Sequence, residues 1–111
     1  MNYLHQNLAE GRWHTMSLAE QLANIGSEVG RAAKWQNKDS KIFDGAVARA
    51  LELFDLTLED SRWRGRLLEI GRLKDVFCDG VFGGKEYGTV LSNLEKYFLP
   101  FMNLVALNKN V

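Results

Sequence analysis

Residues 17–34 read SLAEQLANIGSEVGRAAK, and the spacing inside this stretch decides the fold class. Leu18, Leu22, Ile25 and Val29 recur at steps of four, three and four, which places them on one face of an α-helix. Beside that face runs a second stripe made only of small residues: Ala19, Ala23, Gly26, Gly30 and Ala33. Two glycines inside a helix cost about 1 kcal/mol each relative to alanine. A helix that keeps both is expected to offset that cost by letting another backbone come close. The membrane form of such a seam is GxxxG pairing. Glu20, Gln21, Asn24, Ser27, Glu28 and Arg31 interrupt the apolar run and exclude it here. The seam therefore packs in water, either on a helix of its own chain or on a second copy of the protein. Ser17 followed by Glu20 has the spacing of a capping box, which marks the start of the helix.

Three further helices follow from the same periodicity. Phe43, Ala46, Val47, Ala50, Leu51 and Phe54 form a broad apolar face, with Asp39 or Ser40 as the cap before it. Residues 55–60 are expected to turn, with Thr57 and Asp60 as candidate caps for a third helix. The inner stripe of that helix is Trp63, Leu67, Ile70, Leu73 or Lys74, and Phe77. Gly71 lies within it and is the expected partner of the small seam if the seam packs intramolecularly. Gly80, Gly83 and Gly84 end the third helix, and Thr89 is a candidate cap for the fourth. Val90, Leu91, Leu94, Tyr97, Phe98, Phe101, Met102 and Val105 then run along one side. Pro100 falls within this run, so a kink or break is expected near Leu99. The expected architecture is all-α: an antiparallel four-helix bundle over residues 17–107, preceded by an arm or short helix over residues 1–16. In the arm, Tyr3, Leu4 and Leu8 share a face, while Trp13 and Met16 are expected to tuck onto the bundle.

Composition limits the function classes. A chain of 111 residues makes one domain, and its formal net charge of zero gives no global attraction to nucleic acid or anionic lipid. Cys78 is the single cysteine, so there is neither an internal disulfide nor a cysteine zinc site. With no apolar run of membrane-spanning length and no basic-then-apolar N-terminus, the expected location is cytoplasmic, with no membrane partner.

Chemistry-bearing patterns are sparse. Glu52 and Asp55 form an ExxD pair on one helix face, the spacing with which helical nucleotide pyrophosphohydrolases hold magnesium. The paired glutamates such a site needs on another helix are missing, and a solvated face is the competing reading. Arg62, Arg64 and Arg66, around Trp63, make the densest positive run. They would contact phosphates while the indole stacks on a base, or simply face solvent. His5 and His14 lie in the N-terminal segment with no obvious base or metal set around them. No motif assigns a catalytic residue or calls for a cofactor. The surfaces expected to pair are the seam (Ala19, Ala23, Gly26, Gly30, Ala33) and the aromatic ridge carrying Tyr97 and Phe101.

Three stretches, residues 13–29, residues 50–57 and Tyr97-Phe98, together resemble a family of short, uncharacterised prokaryotic helical proteins across residues 12–101. That resemblance implies a helical cytoplasmic protein. The outline is also similar to HEPN-type helical bundles, many of which are RNases or partners of minimal nucleotidyltransferases. The catalytic signature of those bundles is an arginine followed four to six residues later by histidine, and no arginine here has that spacing. The missing signature argues against RNase activity, and of the roles the resemblance implies a non-catalytic partner role survives. The leading expectation is a non-enzymatic interaction or regulatory protein that forms a homodimer. Nucleic-acid binding and metal-dependent phosphohydrolysis are the alternatives.

Overall fold

A capping box starts the first long helix. The Glu20 amide donates to Ser17 Oγ at 3.1 Å, and the Ser17 amide donates back to Glu20 Oε1 at 3.2 Å. The computed structural model describes residues 11–109. In these, α1 spans Leu18–Trp35, α2 Ser40–Leu58, α3 Leu67–Val81 and α4 Leu91–Lys109. Short 3-10 segments cover Trp13–Thr15 and Ser61–Arg66, and there is no strand among the described residues. The chain is all-α, as its periodicity implies. The stretch expected to hold Tyr3, Leu4, His5 and Leu8 lies outside the described residues.

The core gathers Leu22, Ile25, Val29 and Ala32 of α1, Ala46, Ala50, Leu53, Phe54 and Leu56 of α2, Ile70 and Phe77 of α3, and Leu91 and Phe98 of α4. Trp13 joins them with no solvent exposure, so the segment before α1 supplies a core residue. Phe54 and Phe77 meet at a ring-centroid distance of 5.9 Å and fasten α3 to α2.

The small-residue seam of α1 faces α4 of its own chain. A Cβ added at Gly26 would overlap Phe98 Cβ and lie 3.0 Å from Phe98 Cγ and 3.2 Å from the Met102 sulfur. One added at Gly30 would run into the Glu95 carboxylate. The expected contact with Gly71 is not made: nothing lies within 4 Å of a Cβ built there. The seam needs a facing helix that can lie flush along it. The wide apolar side of α4 provides one, whereas Gly71 lies away from the α1 seam.

Three other boundaries differ from expectation. The turn predicted over residues 55–60 is absent up to Leu58, because Leu56 and Thr57 are buried and continue the face of α2. Thr57 caps nothing; its hydroxyl donates to the Leu53 carbonyl, one turn back, at 2.9 Å. Asp60 does cap the next segment, accepting from the Arg62 amide at 3.1 Å, but that segment is 3-10 before it becomes α3. Trp63 kinks that segment, with φ −105° and ψ 24°, and the α-helix begins only at Leu67. Finally, α4 runs through Pro100 without a break. Lys96 and Pro100 are both exposed. The carbonyl that would have accepted from a residue-100 amide therefore lies on the solvent side, where water can satisfy it.

The helices do not share contacts evenly. α1 is flanked by α4 and α2, α3 leans on α2, and α3 barely meets α4. The hydroxyl of Tyr97 reaches Glu69 Oε1 on α3 at 3.4 Å, a peripheral contact.

Glycine substitutions distinguish close packing from mere position on a helix. Gly26→Ala is expected to destabilise the fold by about 1–3 kcal/mol, because Phe98 cannot withdraw its Cβ without moving α4. Gly45→Ala, where only the flexible Arg49 side chain lies near at 3.5 Å, is expected to stabilise by about 0.5–1 kcal/mol. Urea unfolding of the two variants beside the parent chain measures both.

Candidate interaction surface

Two buried polar systems determine which charged side chains remain available. The first surrounds Gln21, which has no solvent exposure. Its amide nitrogen donates to the Trp13 carbonyl at 2.9 Å and to Asp60 Oδ2 at 3.1 Å. Its oxygen accepts from the Trp63 indole at 2.8 Å. The Trp13 indole donates to Thr57 Oγ1 at 3.0 Å. Asp60 takes Arg62 through Nε at 3.0 Å and Nη2 at 2.7 Å, and His14 Nδ1 lies 3.3 Å from its Oδ2. Arg62 also donates to the Met16 carbonyl at 2.7 Å and covers the Trp63 ring at 4.5 Å from its centroid. The Arg62 guanidinium holds the Asp60 carboxyl far below the usual range; burial opposes this, and the Gln21 amide, the Arg62 backbone amide and His14 add to it. No buried side-chain nitrogen or oxygen among the described residues lacks a partner.

The second system is the loop between α3 and α4. Asp79, in the last turn of α3, accepts from the amides of Glu86 at 2.8 Å, Tyr87 at 3.1 Å and Thr89 at 3.1 Å. Burial pushes its carboxyl up, but these donors outweigh burial and leave it below the ordinary value. Gly84, at φ 78°, lets the loop close on itself: a Cβ there would come 2.7 Å from the Thr89 carbonyl oxygen. Thr89 is thus fixed by Asp79 and does not act as the expected cap of α4. This carboxylate escaped the sequence reading; an aspartate just before a glycine-rich turn was its one visible sign.

The residues singled out from sequence fall into separate places. Asp55 is ion-paired with Lys74 Nζ at 2.7 Å, and Glu52 is also engaged. Among the described residues no group of three or more His, Cys, Asp or Glu side chains converges in a way that could hold a metal ion. Of the arginine run, Arg62 is committed to Asp60, Arg66 pairs loosely with Glu69 at 3.8 Å, and Arg64 is exposed. The run does not form a single patch. Gly26 and Ala23 are buried, Gly30 lies under Glu95, and Ala19 and Ala33 are half-buried. At Gly26 and Gly30 the seam is therefore already occupied by α4. Phe101 is half-buried against the core, while Tyr97 is 40% exposed. Burial and then the Glu69 charge push the Tyr97 hydroxyl above its ordinary pKa. Burial likewise raises the Cys78 thiol, with Lys74 opposing and Asp75 and Asp55 adding, which disfavours a reactive thiolate.

What stays open is the outward side of α3. Leu68 is 81% exposed, with Leu67, Gly71, Arg72, Asp75 and Val76 around it. With Tyr87 these residues line a groove of about 650 Å³. On the α4 side, Gly65, Leu68, Glu69, Arg72, Leu73 and Tyr97 line a second groove of about 500 Å³, where α3 and α4 fail to close. Phe82 and Tyr87 extend the apolar surface past the end of α3, at 77% and 65% exposure. Sequence periodicity marked the inner stripe of this helix, but Leu68 was not singled out.

Gln21→Ala is expected to cost about 2–3 kcal/mol, since it strands the Trp63 indole and one side of Asp60 in a buried setting. Asp60 and Asp79 both titrate below the ordinary carboxyl range in the folded chain. The unfolded chain then binds more protons in acid, so this stability is present above about pH 4 and is lost as pH falls through the folded values. Urea midpoints measured from pH 5 down to pH 2 should fall steeply for the parent chain and less steeply for Asp60→Asn.

No helix of the described residues is long and apolar enough to cross a membrane. Compared with protein-family models, curated proteins and solved structures, the chain finds no match in any of the three.

Proposed function

We propose that the chain is a non-enzymatic helical interaction protein that acts as a homodimer in the cytoplasm, and that its working surface is the outward side of α3. The observation that carries this reading is the exposed apolar group of Leu67, Leu68 and Tyr87 around one groove, with Phe82 beside Tyr87 and a second groove on the other side of Leu68. Exposed apolar area gathered in one place, with polar residues at its rim, is the signature of a protein contact, whereas scattered exposed leucines are ordinary. The polar groups best suited to chemistry are largely taken up within the chain: Asp60 by Arg62, Asp79 by loop amides, Asp55 by Lys74. That favours the interaction reading over phosphohydrolysis through Glu52 and Asp55. A nucleic-acid reading keeps Arg64 and Arg66 but loses Arg62, whose guanidinium is chelated by its neighbour.

Light scattering on the purified chain at tens of micromolar tests the proposal. A mass near twice the 12.6 kDa of one chain is expected. Leu68→Lys, which places a charge in the middle of the surface, should weaken association by at least about tenfold with helicity unchanged. A clean monomer for the parent chain at that concentration would defeat the homodimer reading.

A further inference from the structure

We infer that the outward face of α3 pairs antiparallel with the same face of a second copy, about a two-fold axis, with Arg72 of each copy set on Asp75 of the other. The inference rests on the homodimer reading and goes beyond it by naming the surface, the orientation and the contacts that fix the register.

A two-fold interface uses one patch twice, so the patch must be complementary to itself. The α3 face meets that condition in charge. Arg72 and Asp75 are three residues apart on the exposed side, and neither forms an ion pair within the chain among the described residues. In an antiparallel pair the order of residues on the second helix is reversed, so each cation meets the other copy's anion and two reciprocal ion pairs form. A parallel pair would set Arg72 on Arg72 and Asp75 on Asp75, which repels. The charges thus select one orientation of the two.

The face is complementary in size as well. Leu68 projects from α3 one turn before Gly71, where nothing lies within 4 Å of an added Cβ. In the antiparallel register that sets Arg72 on Asp75, Gly71 of each copy lies opposite Val76 of the other, a small residue facing a larger one. The groove lined by Leu67, Gly71 and Tyr87 is where the second copy's Val76 side chain would seat. Gly71 has no packing role in its own chain, and the expected contact with the α1 seam does not exist; close approach of a second α3 gives this glycine a purpose. The formal net charge of zero means that two copies meet without overall repulsion at neutral pH. Tyr87 and Phe82, exposed beyond the helix, enlarge the area toward what a specific contact requires.

Charge reversal across the axis tests the pairing. Arg72→Glu leaves two anions on the face and Asp75→Lys two cations, so each variant alone should dissociate at least about tenfold more readily than the parent chain in sedimentation equilibrium. An equimolar mixture of the two should regain the dimer. The introduced glutamate of one copy then meets the introduced lysine of the other, and the native Asp75 of the first meets the native Arg72 of the second. Both sites are exposed, and circular dichroism should show parental helicity; Leu68→Glu, which needs no change at either charge, gives a second disruption. If the parent chain is dimeric and every one of these variants dimerises as well as it does, the α3 face is wrong and the homodimer reading stands. If the single variants dissociate and the mixture stays monomeric, the reciprocal Arg72–Asp75 contact is wrong. A monomeric parent chain overturns both readings.

Discussion

The close approach of α4 to α1 at Gly26 is the contact on which the arrangement depends. Phe98 has no solvent exposure and lies directly against a position where even a methyl group would not fit. With Met102 beside it and Glu95 over Gly30, α4 lies along the turn of α1 between Gly26 and Gly30. That docking, with α2 on another side, makes α1 the central helix. The two glycines weaken α1 as an isolated helix and strengthen it as a packing partner, and burial of Phe98 compensates for the lost propensity.

The same docking decides the position of α3. Because α4 is committed to α1, α3 rests on α2 through Phe77 and Phe54 and touches α4 only at the edge. Its inner stripe is satisfied and its outer stripe is not. The connection between α3 and α4 cannot drift, since Asp79 holds three of its amides, so Tyr87 is fixed beside the open face of α3. The surface proposed to pair is thus a consequence of how the rest of the core closes.

At the other end of α1, the Gln21 network joins the segment before α1, the end of α2 and the 3-10 turn before α3. It explains the fate of the arginine run. Arg62 follows Asp60 by two residues, and the tight 3-10 geometry folds its guanidinium back on the carboxylate and over the Trp63 ring. A phosphate-binding side chain in the linear sequence is, in the fold, the partner of a buried acid.

Sequence alone determined what depends on neighbours within one or two turns. The helical class, the capping box of Ser17 and Glu20, a cap at Asp39 or Ser40 and the core stripes of α1 and α2 all follow from spacing and propensity, because those interactions close locally; the structure chose Asp39. The unusual small stripe of α1 was legible too, as a demand for close packing. Its partner was not: whether Gly26 faces α3, α4 or a second copy depends on which helix can lie flush against it, a property of three-dimensional arrangement. The length of α2 past Asp55, the passage of α4 through Pro100 and the amides gathered by Asp79 were likewise settled by tertiary burial and solvent access, which override local turn and break signals. The exposed face of α3 emerged only by subtraction, once the structure had matched the apolar faces of α1 and α2 with their neighbours and turned α4 onto α1.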